Sequence, residues 1–128
     1  MNKKNIIILD DDQFICQSLE ILFNKDYNIN SFTNINSASE YLDKANQKVD
    51  LIILDYNIGK DNGIEFFKKE ISDKKRDIPG IIISGFLVSQ FKDDNEIKKI
   101  DKYFIKLFEK PFDIIELKAY ISDWFKKN

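Results

Sequence analysis

Asp10, Asp11 and Asp12 follow directly on Ile6-Ile7-Ile8-Leu9, and Asp55 follows directly on Leu51-Ile52-Ile53-Leu54. Carboxylates brought together from two parts of a chain can hold a hard divalent cation, and one of them can act as a nucleophile toward phosphorus. Gathering them is costly: at roughly 4 Å and an effective dielectric of about 20, each pair repels by about 4 kcal/mol. Such a cluster therefore calls for a bound cation, a lysine, or both. A hydroxyl and an ammonium are available in comparable places, Ser84-Gly85 after Gly80-Ile81-Ile82-Ile83 and Lys110-Pro111-Phe112 after Tyr103–Phe108. The chain contains no histidine, which excludes His-based triads, His–metal sites and phosphohistidine chemistry within the molecule. Cys16 is the single cysteine, so no internal disulfide can form, and it reads as a small buried residue on a helix.

The residues that precede the acids define the elements that must position them. Short aliphatic runs without alternation read as strands buried on both faces, as in a parallel sheet, and ligands of open α/β sheets bind at the carboxyl ends of such strands. The pattern predicts strands at Asn5–Asp10, Tyr27–Thr33 (weak, near an edge), Val49–Leu54, Gly80–Ser84 and Tyr103–Phe108. Between them lie amphipathic stretches. One carries Ile15, Leu19 and Leu22 on one face, with Asp12 as its cap. A second is opened by Ser37 with Glu40 at capping-box spacing. A third is Ile64–Ile71, preceded by a loop from Gly59 to Gly63, and a fourth lies near Asp93–Ile100. The last is capped by Asp113 and carries Ile114, Leu117, Ile121 and Trp124 at helical spacing. The charged run Asp73–Asp77 reads as a solvated connection. Strict alternation of strand and helix predicts one doubly wound α/β domain over residues 1–128.

At 128 residues, 43% hydrophobic and 33% charged, the chain has the composition of an ordinary globular protein, long enough to bury a core. Its 20 basic and 22 acidic residues give a net charge of −2, which argues against direct nucleic-acid binding. The apolar run after Met1-Asn2-Lys3-Lys4 is too short for a secretory signal, and no stretch reaches the length of a membrane span, so a cytoplasmic location is expected.

Taken in order, Leu9-Asp10-Asp11, Asp55 with Gly63 eight positions on, Ser84-Gly85 and Lys110-Pro111-Phe112 resemble the receiver domain of two-component response regulators, stand-alone chemotaxis-regulator-like, over essentially the whole chain. The resemblance implies a flavodoxin-like fold, with a five-stranded parallel sheet of order 2-1-3-4-5 and five helices. It implies Asp55 as phosphoacceptor, with Mg²⁺ bound directly by Asp11, Asp55 and the backbone carbonyl of Asn57, and Asp10 acting through a metal-bound water. Lys110 and Ser84 would engage the phosphoryl group, and the Lys110–Pro111 bond would be cis. The expected donor is a phosphohistidine on a histidine kinase or phosphotransfer protein, and the expected output is a downstream protein target. The surface of the fourth helix, fifth strand and fifth helix is the candidate switch face and homodimer face. The protein would then be a phospho-switch with intrinsic self-phosphorylation and slow self-dephosphorylation, not a turnover enzyme.

Several positions depart from the family. Leu107 stands where an aromatic switch residue is usual, Gly59 replaces a proline and should loosen that turn, and the stretch from Ser84 to Lys110 is longer than usual. Leu107 and the lengthened stretch favour a second reading, a degenerate receiver that acts as a constitutive protein-binding scaffold. A third, a haloacid-dehalogenase-like phosphatase, finds its two acids in Asp10 and Asp12, yet needs a small hydroxyl residue where Phe14 stands. Positions two past the phosphoacceptor and two past the serine tune hydrolysis in the family, and here they are Asn57 and Phe86. Phe86 should hinder the attacking water without orienting it. Phosphate loss should therefore be slower in the wild type than in Phe86→Glu, and equal rates would refute the idea.

Overall fold

The computed structural model describes residues 3–46, 48–85 and 102–128. Five strands, β1 (Asn5–Leu9), β2 (Asn28–Phe32), β3 (Leu51–Asp55), β4 (Gly80–Ser84) and β5 (Phe104–Glu109), form one parallel sheet of order β2-β1-β3-β4-β5. This is the doubly wound, flavodoxin-like order expected. The three central strands are closed to solvent: β3 and β4 are buried at every residue and β1 at all but its first. Their isoleucines point alternately to two cores because side chains in a strand alternate between faces. On one face Ile7, Leu9, Ile52, Leu54 and Ile82 meet α2 (Ile35–Lys44) and α3 (Gly63–Phe67). On the other, Ile6, Ile8, Ile53 and Ile83 meet α1 (Gln13–Phe23) and the C-terminal helix (Ile114–Lys127).

Helix starts follow local capping chemistry. Asp12 accepts from the Phe14 N–H at 2.9 Å, and Asp113 from Ile115 at 2.8 Å and Glu116 at 3.4 Å, as expected. The second helix begins earlier than the Ser37–Glu40 spacing suggests. Asn34 is its cap and accepts from the Ser37 N–H at 2.9 Å, since asparagine caps at least as well as serine and adds a turn. Phe14 and Ile21 are exposed to 77% and 82%, so the buried stripe of α1 is Cys16, Leu19 and Phe23, with Ile15 and Leu22 at its margins.

The third helix is not uniform. After Phe67 it widens into a π turn over Lys68–Ser72, which keeps Phe66, Phe67, Glu70 and Ile71 all buried. The charged run beyond it is not a simple solvated connection. Lys74 and Arg76 converge on buried Glu70 at 2.7 and 3.6 Å, and both reach Asp43 on α2, at 3.2 and 2.7 Å. A carboxylate this buried needs such partners, and the loop supplies them. The fourth helix expected near Asp93–Ile100, and Phe86, lie outside the described residues.

Gly80, the first residue of β4, carries the close packing at this end of the sheet. A Cβ there would lie 2.6 Å from the Phe67 ring and 3.1 Å from Phe104, whose rings stack with centroids 4.3 Å apart. The β4–β5 register slips beside it, Gly80 facing Phe104 but Ile81 facing Lys106. Gly80→Ala should cost about 1–3 kcal/mol in urea unfolding through overpacking. The same change in a Phe67→Leu background should cost less, and equal costs would show that the ring is not what the methyl meets.

Candidate functional site

The β1–β3 register pairs Leu9 with Leu54, so the residues that follow, Asp10 and Asp55, emerge side by side at the carboxyl edge of the sheet. Asp10 is 2% and Asp55 7% exposed. Asp11, on the turn into α1, is exposed, and carboxylate oxygens of all three lie within 4.8 Å of one another. Lys110 follows β5 and reaches across the sheet edge. Its Nζ stands 3.0 Å from Asp55 Oδ2 and 3.3 Å from Asp10 Oδ2. The strand between, β4, ends in buried Ser84, whose carbonyl accepts the Lys110 N–H at 2.8 Å. The Lys110–Pro111 bond is cis, as expected.

Two structural devices fix the loop after β3. The Gly63 N–H bonds the Tyr56 carbonyl, and a Cβ on Gly63 would collide with the Asp55 carbonyl oxygen. A glycine eight positions after Asp55 is thus a steric requirement. The segment expected as plain loop is a small antiparallel ribbon, Asn57–Ile58 against Asp61–Asn62, with Asn57 exposed at its start. The turn that glycine was expected to loosen is instead tied back: Gly59, at φ 60°, donates its N–H to Asp11 Oδ2 at 2.9 Å. Two-residue pairings leave no periodicity to read, and a positive-φ glycine was the one available signal.

The electrostatics match the crowding. Burial first, and the Asp55 charge beside it, push the Asp10 carboxyl up to about 6, against the Asp12 N–H and Lys110. Burial works against the Lys110 ammonium, but its bond to Asp55 and the charges of both aspartates outweigh that and hold its pKa above the usual lysine value. Cys16, buried under the cluster, directs its Sγ to the Asp10 carbonyl at 3.3 Å, and burial with the nearby acids pushes its thiol up to about 11, making it a packing group and not a nucleophile. Three carboxylates and one ammonium leave two formal negative charges. Oxygen donors with that residual charge fit a hard divalent ion such as Mg²⁺.

Leu107, in register with Ile82, is half-buried against the α2–α3 core. It lies on the opposite face from Phe108, which meets Tyr120 of the C-terminal helix with ring centroids 5.9 Å apart.

Because the Asp10 carboxyl holds its proton more tightly folded than unfolded, its contribution to stability is complete below about pH 4 and is lost as pH rises through about 6. Asp43, held low by Arg76 and Lys74, acts in the opposite sense and only at lower pH. In buffer free of divalent ions the unfolding free energy should rise by roughly 2–3 kcal/mol from Asp10 between pH 7 and pH 4. Asp10→Asn should flatten that limb, measured by urea unfolding across the range.

A search of curated proteins by sequence found no match. Among solved structures, the chain is similar to a Francisella response regulator receiver domain, with TM-score 0.80 and 21% identity over 98% of both chains. It is similar to a CheY-like response regulator receiver domain protein from Methanospirillum hungatei, with TM-score 0.79 and 19% identity over 98% of this chain and 96% of that one. A receiver domain protein from Clostridium thermocellum aligns with TM-score 0.76 and 19% identity over 97% and 95%. At these identities the likeness establishes the fold. The sequence itself matches the family model described as response regulator receiver domain over residues 6–122, and the chain belongs to that family.

Proposed function

We propose that this receiver accepts a phosphoryl group on Asp55 and thereby switches a protein-binding surface. The observation that carries the reading is the pair of contacts from Lys110 to Asp55 and Asp10 at 3.0 and 3.3 Å, beside the third carboxylate of Asp11. A carboxylate oxygen of Asp55 attacks phosphorus of a phosphohistidine on a partner histidine kinase or phosphotransfer protein. An O–P bond forms, the N–P bond breaks, and the imidazole leaves with its electron pair. Lys110 balances charge on the phosphoryl oxygens, and Ser84, at the end of the neighbouring strand, donates its hydroxyl to the product. Little else is asked of the protein beyond positioning.

Asp11, Asp55 and the Asn57 carbonyl would hold Mg²⁺, which when bound neutralises phosphoryl oxygens. Asp10 acts indirectly. That division agrees with the bonds present: both Asp10 oxygens are engaged, Oδ1 by the Asp12 N–H and Oδ2 by Lys110, whereas Asp11 Oδ1 accepts nothing among the described residues. Phosphorylation replaces a carboxylate by a group of about −1.5 to −2 charge with new acceptor oxygens. The surface around β5 and the C-terminal helix is where a downstream protein or a second copy would sense it, in the cytoplasm, with no role in binding nucleic acid. The acyl phosphate would form slowly from small donors and hydrolyse slowly. No described helix is long and apolar enough to cross a membrane.

Leu107 favours one competing reading, a constitutive scaffold, because an aliphatic side chain half-buried against the core offers no ring or hydroxyl to exchange. Incubation with Mg²⁺ and acetyl phosphate, read by intact mass, separates the readings. The expected result is one phosphoryl adduct, absent from Asp55→Asn and forming at least about tenfold more slowly in Lys110→Ala. No adduct in the wild type supports the scaffold, and steady phosphate release from small organophosphates supports a phosphatase.

A further inference from the structure

The three carboxylates are not held alike. Asp10 is fixed by the Asp12 N–H and Lys110, and Asp55 by Lys110, and both are buried. Asp11 is exposed, and among the described residues its only hydrogen bond comes from the main-chain N–H of Gly59, 48 positions away. That bond joins the turn after β1 to the ribbon after β3. It engages Oδ2 and leaves Oδ1 for an ion. An exposed carboxylate that takes a cation loses rotamer freedom, and holding it beforehand removes that loss from the binding step.

We propose that Gly59 is a positioning residue for the cation site, its N–H presetting the Asp11 carboxylate to receive the ion. The inference rests on the cation-binding reading given above. Two properties are needed together, a main-chain N–H and a left-handed backbone at φ 60°. Asparagine has the first and tolerates the second, valine has the first but is strained there, and proline has neither. A Cβ at position 59 meets no atom within 4 Å, so substitutions act through the backbone and not through crowding.

Mg²⁺ titration by calorimetry on the wild type, Gly59→Asn, Gly59→Val and Gly59→Pro tests this, with thermal melting of each protein alongside. The expected result is affinity within about twofold of wild type for Gly59→Asn, and about three- to tenfold weaker for Gly59→Val and Gly59→Pro. Without metal, the Gly59 amide should exchange faster in Asp11→Ala than in the wild type. Should Gly59→Pro not fold, the contrast between valine and asparagine carries the comparison. Equal Mg²⁺ affinity across the folded variants, or Gly59 exchange unmoved by Asp11→Ala, overturns the inference and leaves the cation reading standing. A wild type that binds no Mg²⁺ overturns both.

Discussion

Neighbouring strands of a sheet lie about 4.8 Å apart, and that spacing governs this molecule. Because β1 and β3 are neighbours with Leu9 opposite Leu54, any acids that follow them are forced together at a distance where like charges repel strongly. The rest of the edge accommodates that conflict. Lys110 must come from β5, two strands beyond β3, and it crosses the end of β4 to do so. The crossing is possible because β4 ends in the small residues Ser84 and Gly85. A Cβ on Gly85 would sit 3.6 Å from Lys110 Cβ, so the lysine already lies in contact with this backbone. Compact residues at one strand end and a long cation at the next are one solution to one charge problem.

The backbone contributes as much as the side chains. Gly63 lets the chain close over the Asp55 carbonyl, the Asp12 N–H holds one oxygen of Asp10, and the Gly59 N–H holds one oxygen of Asp11. Burial first, and the Asp55 charge after it, still hold the Asp10 carboxyl up at about 6 against these donors and one lysine. An edge left in this condition favours the uptake of positive charge from solution.

What the sequence revealed and what it hid have physical reasons. Strands β1, β3 and β4 were legible because burial on both faces demands uninterrupted aliphatic residues, and the acids were legible because they interrupt those runs. Asp12 and Asp113 were legible as caps because capping is local. The cap at Asn34 was misplaced because Ser37 and Glu40 offered an equally plausible local pattern three residues later. The ribbon at Asn57–Asn62 was hidden because two-residue strands are too short to show a period, and the bond from Gly59 to Asp11 because it joins positions 48 apart across the sheet edge. The clip around Glu70 was hidden for a related reason: Lys74 and Arg76 look solvated until the π turn brings a buried carboxylate beneath them.

That clip divides the molecule in a way its symmetric layering conceals. Lys74 and Arg76, in the segment after the third helix, pair both with Glu70 inside that helix and with Asp43 on α2, and so clip the two helices of one layer together. The opposite layer, α1 and the C-terminal helix, is held to the sheet by apolar burial centred on Cys16, Leu19, Phe23, Leu117 and Ile121. Added salt screens exposed charge pairs, while excluded salts such as sulfate strengthen apolar burial. Both layers rest on apolar cores, and the α2 side carries this clip in addition, so ionic strength acts on the clip while excluded salts firm both sides of the sheet together.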